Sequence, residues 1–213
     1  YASSRMVERK IFFSKSMQVK IRNHKSISHG QRRCGTRSWN QAVATGFFVN
    51  ANIENWGVTD YDDVMTGVDF AISRGWADPD RLICYGWSYG GFLSAWIATQ
   101  TDRFKAVSPG AALTNLYSMY STNDLQDYLS SFFDGSPWTE AQSYRQHSPI
   151  TYASDVRSPV LLMHGASDTR VPQEQSVEFY RALKDLGKDV SFVRFPREGH
   201  GLTEPSHLFN TQQ

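Results

Sequence analysis

Gly86-Trp87-Ser88-Tyr89-Gly90 places a serine between two glycines, each two positions away. This is the spacing of a nucleophile elbow, in which a strand turns sharply into a helix and lifts a hydroxyl above the sheet edge. The glycines have a steric purpose: a side chain at those positions would meet the neighbouring strand or helix, and the serine itself takes a strained backbone. A hydroxyl is a weak nucleophile at neutral pH, so the chemistry needs a base within hydrogen-bond reach and an acid to orient that base. The string alone is modest evidence. Its plainer alternative is a glycine-rich turn holding an ordinary serine, and the flanking elements decide between the two.

The elbow carries a fixed chain order of serine, acid, histidine. Asp168, in His164-Gly165-Ala166-Ser167-Asp168, leaves the carboxyl end of the apolar run 159–163, the edge where open α/β sheets place their sites. Asp155 and Asp189 precede apolar runs and fall at the opposite edge. His200, in Glu198-Gly199-His200-Gly201, follows the run 190–195, and its two glycines let it reach inward. His24 and His29 lie near the N-terminus, His147 precedes the acid, and His207 is in the tail. His164 is expected to be a satisfied structural group. The backbone N–H of Tyr89, at the start of the following helix, would face a developing oxyanion, where donor and helix dipole act together.

The elements that must position these residues are legible as runs and periods. From about residue 41 onward, short apolar runs alternate with helical-period segments, the pattern of strand–helix units and a mostly parallel sheet. Phe47-Phe48-Val49 is one expected strand. Thr59 with Asp62 suggests a capping box opening a helix from 59 to about 74, with Val64, Met65, Val68, Ala71 and Ile72 inward and Gly75 ending it. Leu82-Ile83-Cys84-Tyr85 reads as a buried strand, and Phe92, Leu93, Trp96 and Ile97 recur at helical spacing after the elbow. A second buried strand over 159–163 leads to a helix from 172 to about 186 with Val177, Tyr180, Leu183 and Leu186 inward, and a third covers 190–195. Residues 111–150, rich in Tyr, Phe, Ser and Asn, are expected to be helices and loops covering the site.

The length of 213 residues supports one domain, and thirteen Phe, ten Tyr and six Trp can fill its core. The net charge of +1 hides two opposite parts. Residues 1–40 hold ten Lys or Arg against the single acid Glu8, and the remainder holds twelve against twenty. The expected division is therefore a basic, poorly patterned arm over 1–40 and a catalytic unit over 41–213. The arm's charges are scattered without a binding motif, so no nucleic acid is expected as a partner. Two cysteines build no disulfide framework, nothing approaches 18 consecutive apolar residues, and the expected compartment is the cytoplasm.

Six blocks in order resemble the prolyl oligopeptidase family of serine peptidases, which includes dipeptidyl and acylaminoacyl peptidases. They are Asn55-Trp56-Gly57 with Asp60-Tyr61 and Asp63; Asp78-Pro79-Asp80-Arg81; Gly86-Trp87-Ser88-Tyr89-Gly90-Gly91; His164-Gly165 with Asp168; Val171-Pro172; and Pro196-Arg197-Glu198-Gly199-His200-Gly201. The resemblance spans roughly residues 36–210. It implies an α/β-hydrolase fold, a mostly parallel sheet flanked by helices, here with its N-terminal strands incomplete. It also implies a catalytic triad of Ser88, Asp168 and His200 that hydrolyses peptide bonds of short peptides through an acyl-enzyme, with no metal or cofactor.

The chain departs from the family in its first part. The family's His-Gly-Gly-Pro turn, which helps form the oxyanion hole, is reduced to His29-Gly30-Gln31 after Lys25-Ser26-Ile27-Ser28, and an Arg-Gly-Ser loop before Asn55 is missing. Loss of one oxyanion donor costs about 10²–10³ in turnover. The alternatives to a peptidase are an esterase-type hydrolase on the same triad and a catalytically weak or inactive remnant. The family's β-propeller has no counterpart, so the chain is expected to be a fragment or a stand-alone catalytic domain.

Overall fold

A computed structural model of the protein describes residues 7–14, 17–23, 51–125 and 127–211. One sheet contains six strands in chain order: β1 (Val7–Ser14), β2 (Met17–Asn23), β3 (Leu82–Trp87), β4 (Ala106–Gly110), β5 (Val160–Gly165) and β6 (Val190–Phe195). Strands β3 to β6 run parallel, and a parallel pair needs a crossover between its members. Helix α2 (Tyr89–Gln100) joins β3 to β4, and α5 (Glu174–Asp185) joins β5 to β6. Helix α1 (Thr59–Ser73) precedes β3, the short helices α3 (Leu116–Thr122) and α4 (Ala141–Gln146) lie between β4 and β5, and α6 (Pro205–Asn210) follows β6. This is the α/β arrangement that the alternation of runs and periods implies.

The register brings the functional loops together. Trp87 pairs with Gly110, Gly110 with Met163, and Gly165 with Phe195. The carboxyl ends of β3, β5 and β6 thus share one edge, from which the loops bearing Ser88, Asp168 and His200 depart. Asp155 and Asp189, both exposed, precede β5 and β6 and belong to the opposite edge.

Several local expectations change. The strands read as fully buried have one open side: burial alternates along β3, and Leu161 and Val193 are each 40% exposed. Thr59 makes no capping box. The cap is Val58, and the Thr59 hydroxyl donates instead to the Asn52 side-chain oxygen at 3.0 Å, because the turns over 51–58 bring that acceptor within reach. Gly75, at φ +65°, ends α1 as expected, its N–H bonding to Ile72 O and that of Trp76 to Ala71 O.

Helix α5 buries Gln175, Ser176, Phe179 and Leu183, while Leu186 faces solvent. Its inward face is rotated from the apolar stripe because Gln175 and Ser176 have polar partners inside. The Gln175 side-chain oxygen accepts from the N–H groups of Thr114 and Asn115. Helix α2, by contrast, is buried continuously from Gly90 to Thr99, packed on β3, β4 and the 3₁₀ turn Pro149–Asp155. A helix apolar all round belongs in an interior.

Strand β4 and helix α6 carry no periodic signal. Strands β1 and β2, inside the expected poorly patterned arm 1–40, form an antiparallel hairpin that pairs β2 antiparallel with β3. In β2, Met17, Val19 and Ile21 alternate with Gln18, Lys20 and Arg22, a period-2 strand pattern that the reading of an unpatterned arm passes over. The expected strand Phe47-Phe48-Val49 and the segments Lys25-Ser26-Ile27-Ser28 and His29-Gly30-Gln31 lie outside the described residues. Among those residues, no helix is long and apolar enough to cross a membrane.

Candidate active site

The elbow is built by close backbone contact. A Cβ on Gly86 would lie 2.3 Å from the Gly90 carbonyl oxygen, and one on Gly91 would lie 2.2 Å from that of Gly110, so neither position admits a side chain without backbone movement. Ser88 caps α2 at φ 62° and ψ −123°, a region that costs a non-glycine residue about 1–3 kcal/mol. It is held there by its N–H donating to Gly110 O at 2.9 Å and its carbonyl accepting from Phe92 N at 2.9 Å. The strained turn leaves the side chain facing the cleft above the sheet edge.

There Ser88 Oγ lies 2.9 Å from Nε2 of His200, and Nδ1 of His200 lies 2.8 Å from Oδ2 of Asp168. An ionised carboxylate only accepts, so Nδ1 carries the proton and Nε2 offers its lone pair to the serine hydroxyl. The structure therefore brings together the three residues picked out by motif and chain order. The Asp168 side chain is fully buried, and its Oδ1 accepts from the N–H groups of Arg170 (3.0 Å) and Val171 (2.9 Å). Burial alone would raise the Asp168 pKa. Hydrogen bonds from His164, His200 and the Val171 N–H outweigh it and hold the carboxyl well below the usual carboxylate range.

His164 is buried beneath this loop. Its Nε2 donates to Val171 O at 2.7 Å, its Nδ1 meets Ser176 Oγ at 2.7 Å, and its Nε2 is 3.4 Å from Asp168 Oδ2. It fixes the 168–171 loop from below. Two other histidines are occupied elsewhere: His147 Nδ1 meets Trp56 O, and His207 Nδ1 meets Glu198.

The loop carrying His200 is pinned to both neighbours. The Ser167 N–H donates to Glu198 O at 2.8 Å, and the Trp87 indole donates to the His200 carbonyl at 2.7 Å. A Cβ on Gly165 would come within 2.2 Å of Gly199 O, so β5 and the His200 loop touch backbone to backbone. Trp87 has no signal in the sequence beyond its place inside the motif, since its partner is a main-chain atom 113 residues away.

Beside Ser88 opens a cleft of about 260 Å³. Trp56, Leu113, Met119, Leu125, Tyr128 and Val171 give it an apolar lining, with Asn123 and Arg170 at its polar part. Segments from the 111–150 region thus cover the site as expected. Within that lining, Trp56 is 1% exposed and packs against the rings of Tyr89, Phe92, Tyr128, Phe132 and Phe133 at 4.8–6.1 Å.

Tyr89 opens α2, where first-turn N–H groups have no intrahelical acceptor. Its hydroxyl donates to Asp60 Oδ2 at 2.6 Å. Burial pushes the Tyr89 phenol far up, and the adjacent Asp60 charge adds to the shift. Burial raises Asp60 as well, against the hydrogen bond from Tyr89. The pair ties the start of α1 to the elbow, a link between sequence-distant residues that no spacing announces.

Among the described residues, Glu198, Glu204 and His207 bring one potential ligand atom each within 4.8 Å of one another. Both Glu198 oxygens are already met by N–H and O–H donors, so this cluster is a hydrogen-bond network rather than a cation cage.

A prolyl oligopeptidase family profile matches residues 47–212. The uncharacterized peptidase YuxL of Bacillus subtilis (strain 168) is 39% identical over 162 residues, covering 75% of this chain and 25% of its own length. The acylamino-acid-releasing enzyme of Arabidopsis thaliana is 36% identical over 158 residues, covering 70% and 21% respectively. A solved acylaminoacyl peptidase in complex with Z-Gly-Gly-Phe-chloromethyl ketone superposes with a TM-score of 0.71 at 26% identity, over 92% of this chain and 38% of that one. The chain spans about a quarter of the length of these curated relatives.

Proposed function

The chain belongs to the prolyl oligopeptidase family, and from that premise we propose that it is a serine peptidase that cleaves peptide bonds of short peptides through an acyl-enzyme on Ser88. The carrying observation is the unbroken line from Ser88 Oγ to His200 Nε2 at 2.9 Å and from His200 Nδ1 to Asp168 at 2.8 Å. His200 takes the serine proton as Oγ attacks the scissile carbonyl carbon, then gives that proton to the leaving amine as the C–N bond breaks. Asp168, kept ionised, holds the imidazole in the tautomer that accepts at Nε2 and stabilises the imidazolium that forms. The Tyr89 N–H donates to the oxyanion, a group that acts with the dipole of α2 behind it. A water activated by the same histidine then releases the acyl group.

The substrate is a peptide whose residue before the cleaved bond is apolar or aromatic. The lining by Trp56, Leu113, Met119, Leu125, Tyr128 and Val171 favours such a side chain, and the acylaminoacyl peptidase among the similar structures carries a ligand ending in Phe. The catalytic unit is residues 41–213, within which the family match falls, and the cysteine usage suits the cytoplasm.

Fluorophosphonate labelling of the purified chain followed by peptide mapping tests this reading, because the probe modifies only an activated serine. Modification should map to Ser88 and vanish in Ser88→Ala; labelling that persists in that variant removes Ser88 from the nucleophile's role.

A further inference from the structure

His200 sits between Gly199 and Gly201, which give it reach and no rigidity of their own. Something else must hold the imidazole on its line between Ser88 and Asp168. Two residues before it, Glu198 is a charged side chain only 1% exposed. Its Oε2 accepts from the Thr203 N–H at 2.8 Å and the Thr203 hydroxyl at 3.0 Å. Its Oε1 accepts from the Glu204 N–H at 2.8 Å and from His207 Nδ1 at 2.9 Å. Four donors meet both oxygens of this buried carboxylate, as a charge taken out of water requires. All four come from the segment just beyond His200, so the carboxylate pulls the far end of the loop back against its near end.

The near end is fixed too, by Ser167 N–H on the Glu198 carbonyl, and the Trp87 indole grips the His200 carbonyl. We propose that Glu198 is the positioning residue of the base: its carboxylate closes residues 198–204 into a ring that aims His200 Nε2 at Ser88. This rests on the peptidase reading above. Glu198 touches no reacting atom, and it acts only through the backbone that carries the imidazole. Burial opposes its charge, but the hydrogen bonds from Glu204 N–H, His207 and Thr203 prevail and bring its pKa down to about 2, so it is ionised wherever such an enzyme works.

The test compares Glu198→Gln, which keeps the shape but turns one oxygen into a donor facing two donors, with Thr203→Val, which removes one hydroxyl donor and spares the carboxylate. Arg197→Ala, which removes only the exposed ion pair with Glu204 at 2.8 Å, is the control. Turnover is expressed per fluorophosphonate-titrated site, well below each variant's Tm, so that loss of folded protein does not enter. The expected result is a fall in kcat of about 10- to 100-fold for Glu198→Gln with KM within about twofold, a smaller fall for Thr203→Val, and none for Arg197→Ala.

A second readout is independent of activity: the downfield Nδ1 proton of His200, held by Asp168, should broaden or shift in Glu198→Gln. If kcat per titrated site and that resonance both stay at wild-type values while Tm alone drops, Glu198 is a structural group and the proposal is overturned. A wild-type chain without peptidase turnover defeats the peptidase reading instead, and the resonance then decides on the positioning role by itself.

Discussion

Asp168 illustrates what a buried charge needs in order to serve. Each oxygen is met, Oδ1 by two backbone N–H groups and Oδ2 by Nδ1 of His200, so neither is stranded in the interior. Asp168→Asn keeps the shape and reverses the polarity of one position: an amide nitrogen facing His200 Nδ1 would turn the imidazole into the tautomer that donates at Nε2. The expected outcome is a fall in kcat on the order of 10⁴ with the fold retained, checked by steady-state kinetics beside a circular dichroism spectrum. Ser88, Asp168 and His200 were readable in the sequence because motif, chain order and strand edge converge on them. Asp60, Trp87 and Glu198 were not. All three fall inside the family blocks, but Asp60 and Trp87 meet partners 29 and 113 residues away, and Glu198 meets a mixture of main-chain and side-chain donors five to nine residues on, so none leaves a fixed spacing to detect.

At the scale of elements, the elbow is an assembly of β3, α2 and β4 in which glycines permit contact closer than any Cβ allows. Gly91→Ala would force α2 and β4 apart at the Gly110 carbonyl, 2.2 Å from the new carbon. A loss of about 1–3 kcal/mol is expected, read from urea denaturation, with a disproportionate loss of activity because Ser88 N–H bonds to that same carbonyl. The elements that carry long apolar runs, β3, β5, β6 and α2, were legible for the reason that they supply the core. Strand β4 was not, since Ser108, Pro109 and Gly110 interrupt its five residues and its pairing is set by neighbours already in place. Helix α5 was legible as a helix but not in its facing. Gln175 and Ser176 turn inward to meet Thr114 and His164, and a count of apolar residues cannot see a polar bond that replaces burial.

For the molecule as a whole, stability should depend steeply on acid. Asp168, Glu198 and Glu204 all have carboxyls held below their ordinary values by hydrogen bonds and ion pairs. A carboxyl depressed in the folded state contributes stability that is fully present above its unfolded pKa and is lost as pH falls toward its folded pKa. For Glu198 that interval runs from 4.5 down to about 2. Asp60, raised by burial, acts in the opposite sense and offsets part of the trend. The expected outcome is a Tm that drops from about pH 5 to about pH 3, with a shallower slope in Glu198→Gln, measured by thermal melts across that range. The indole of Trp87 ties two further events into one. Its N–H rests on the carbonyl of the proposed base while its chain neighbour is the proposed nucleophile, so the base loop cannot lift without freeing that proton to solvent. Its exchange in heavy water is a clock for how often the proposed nucleophile and the proposed base part company.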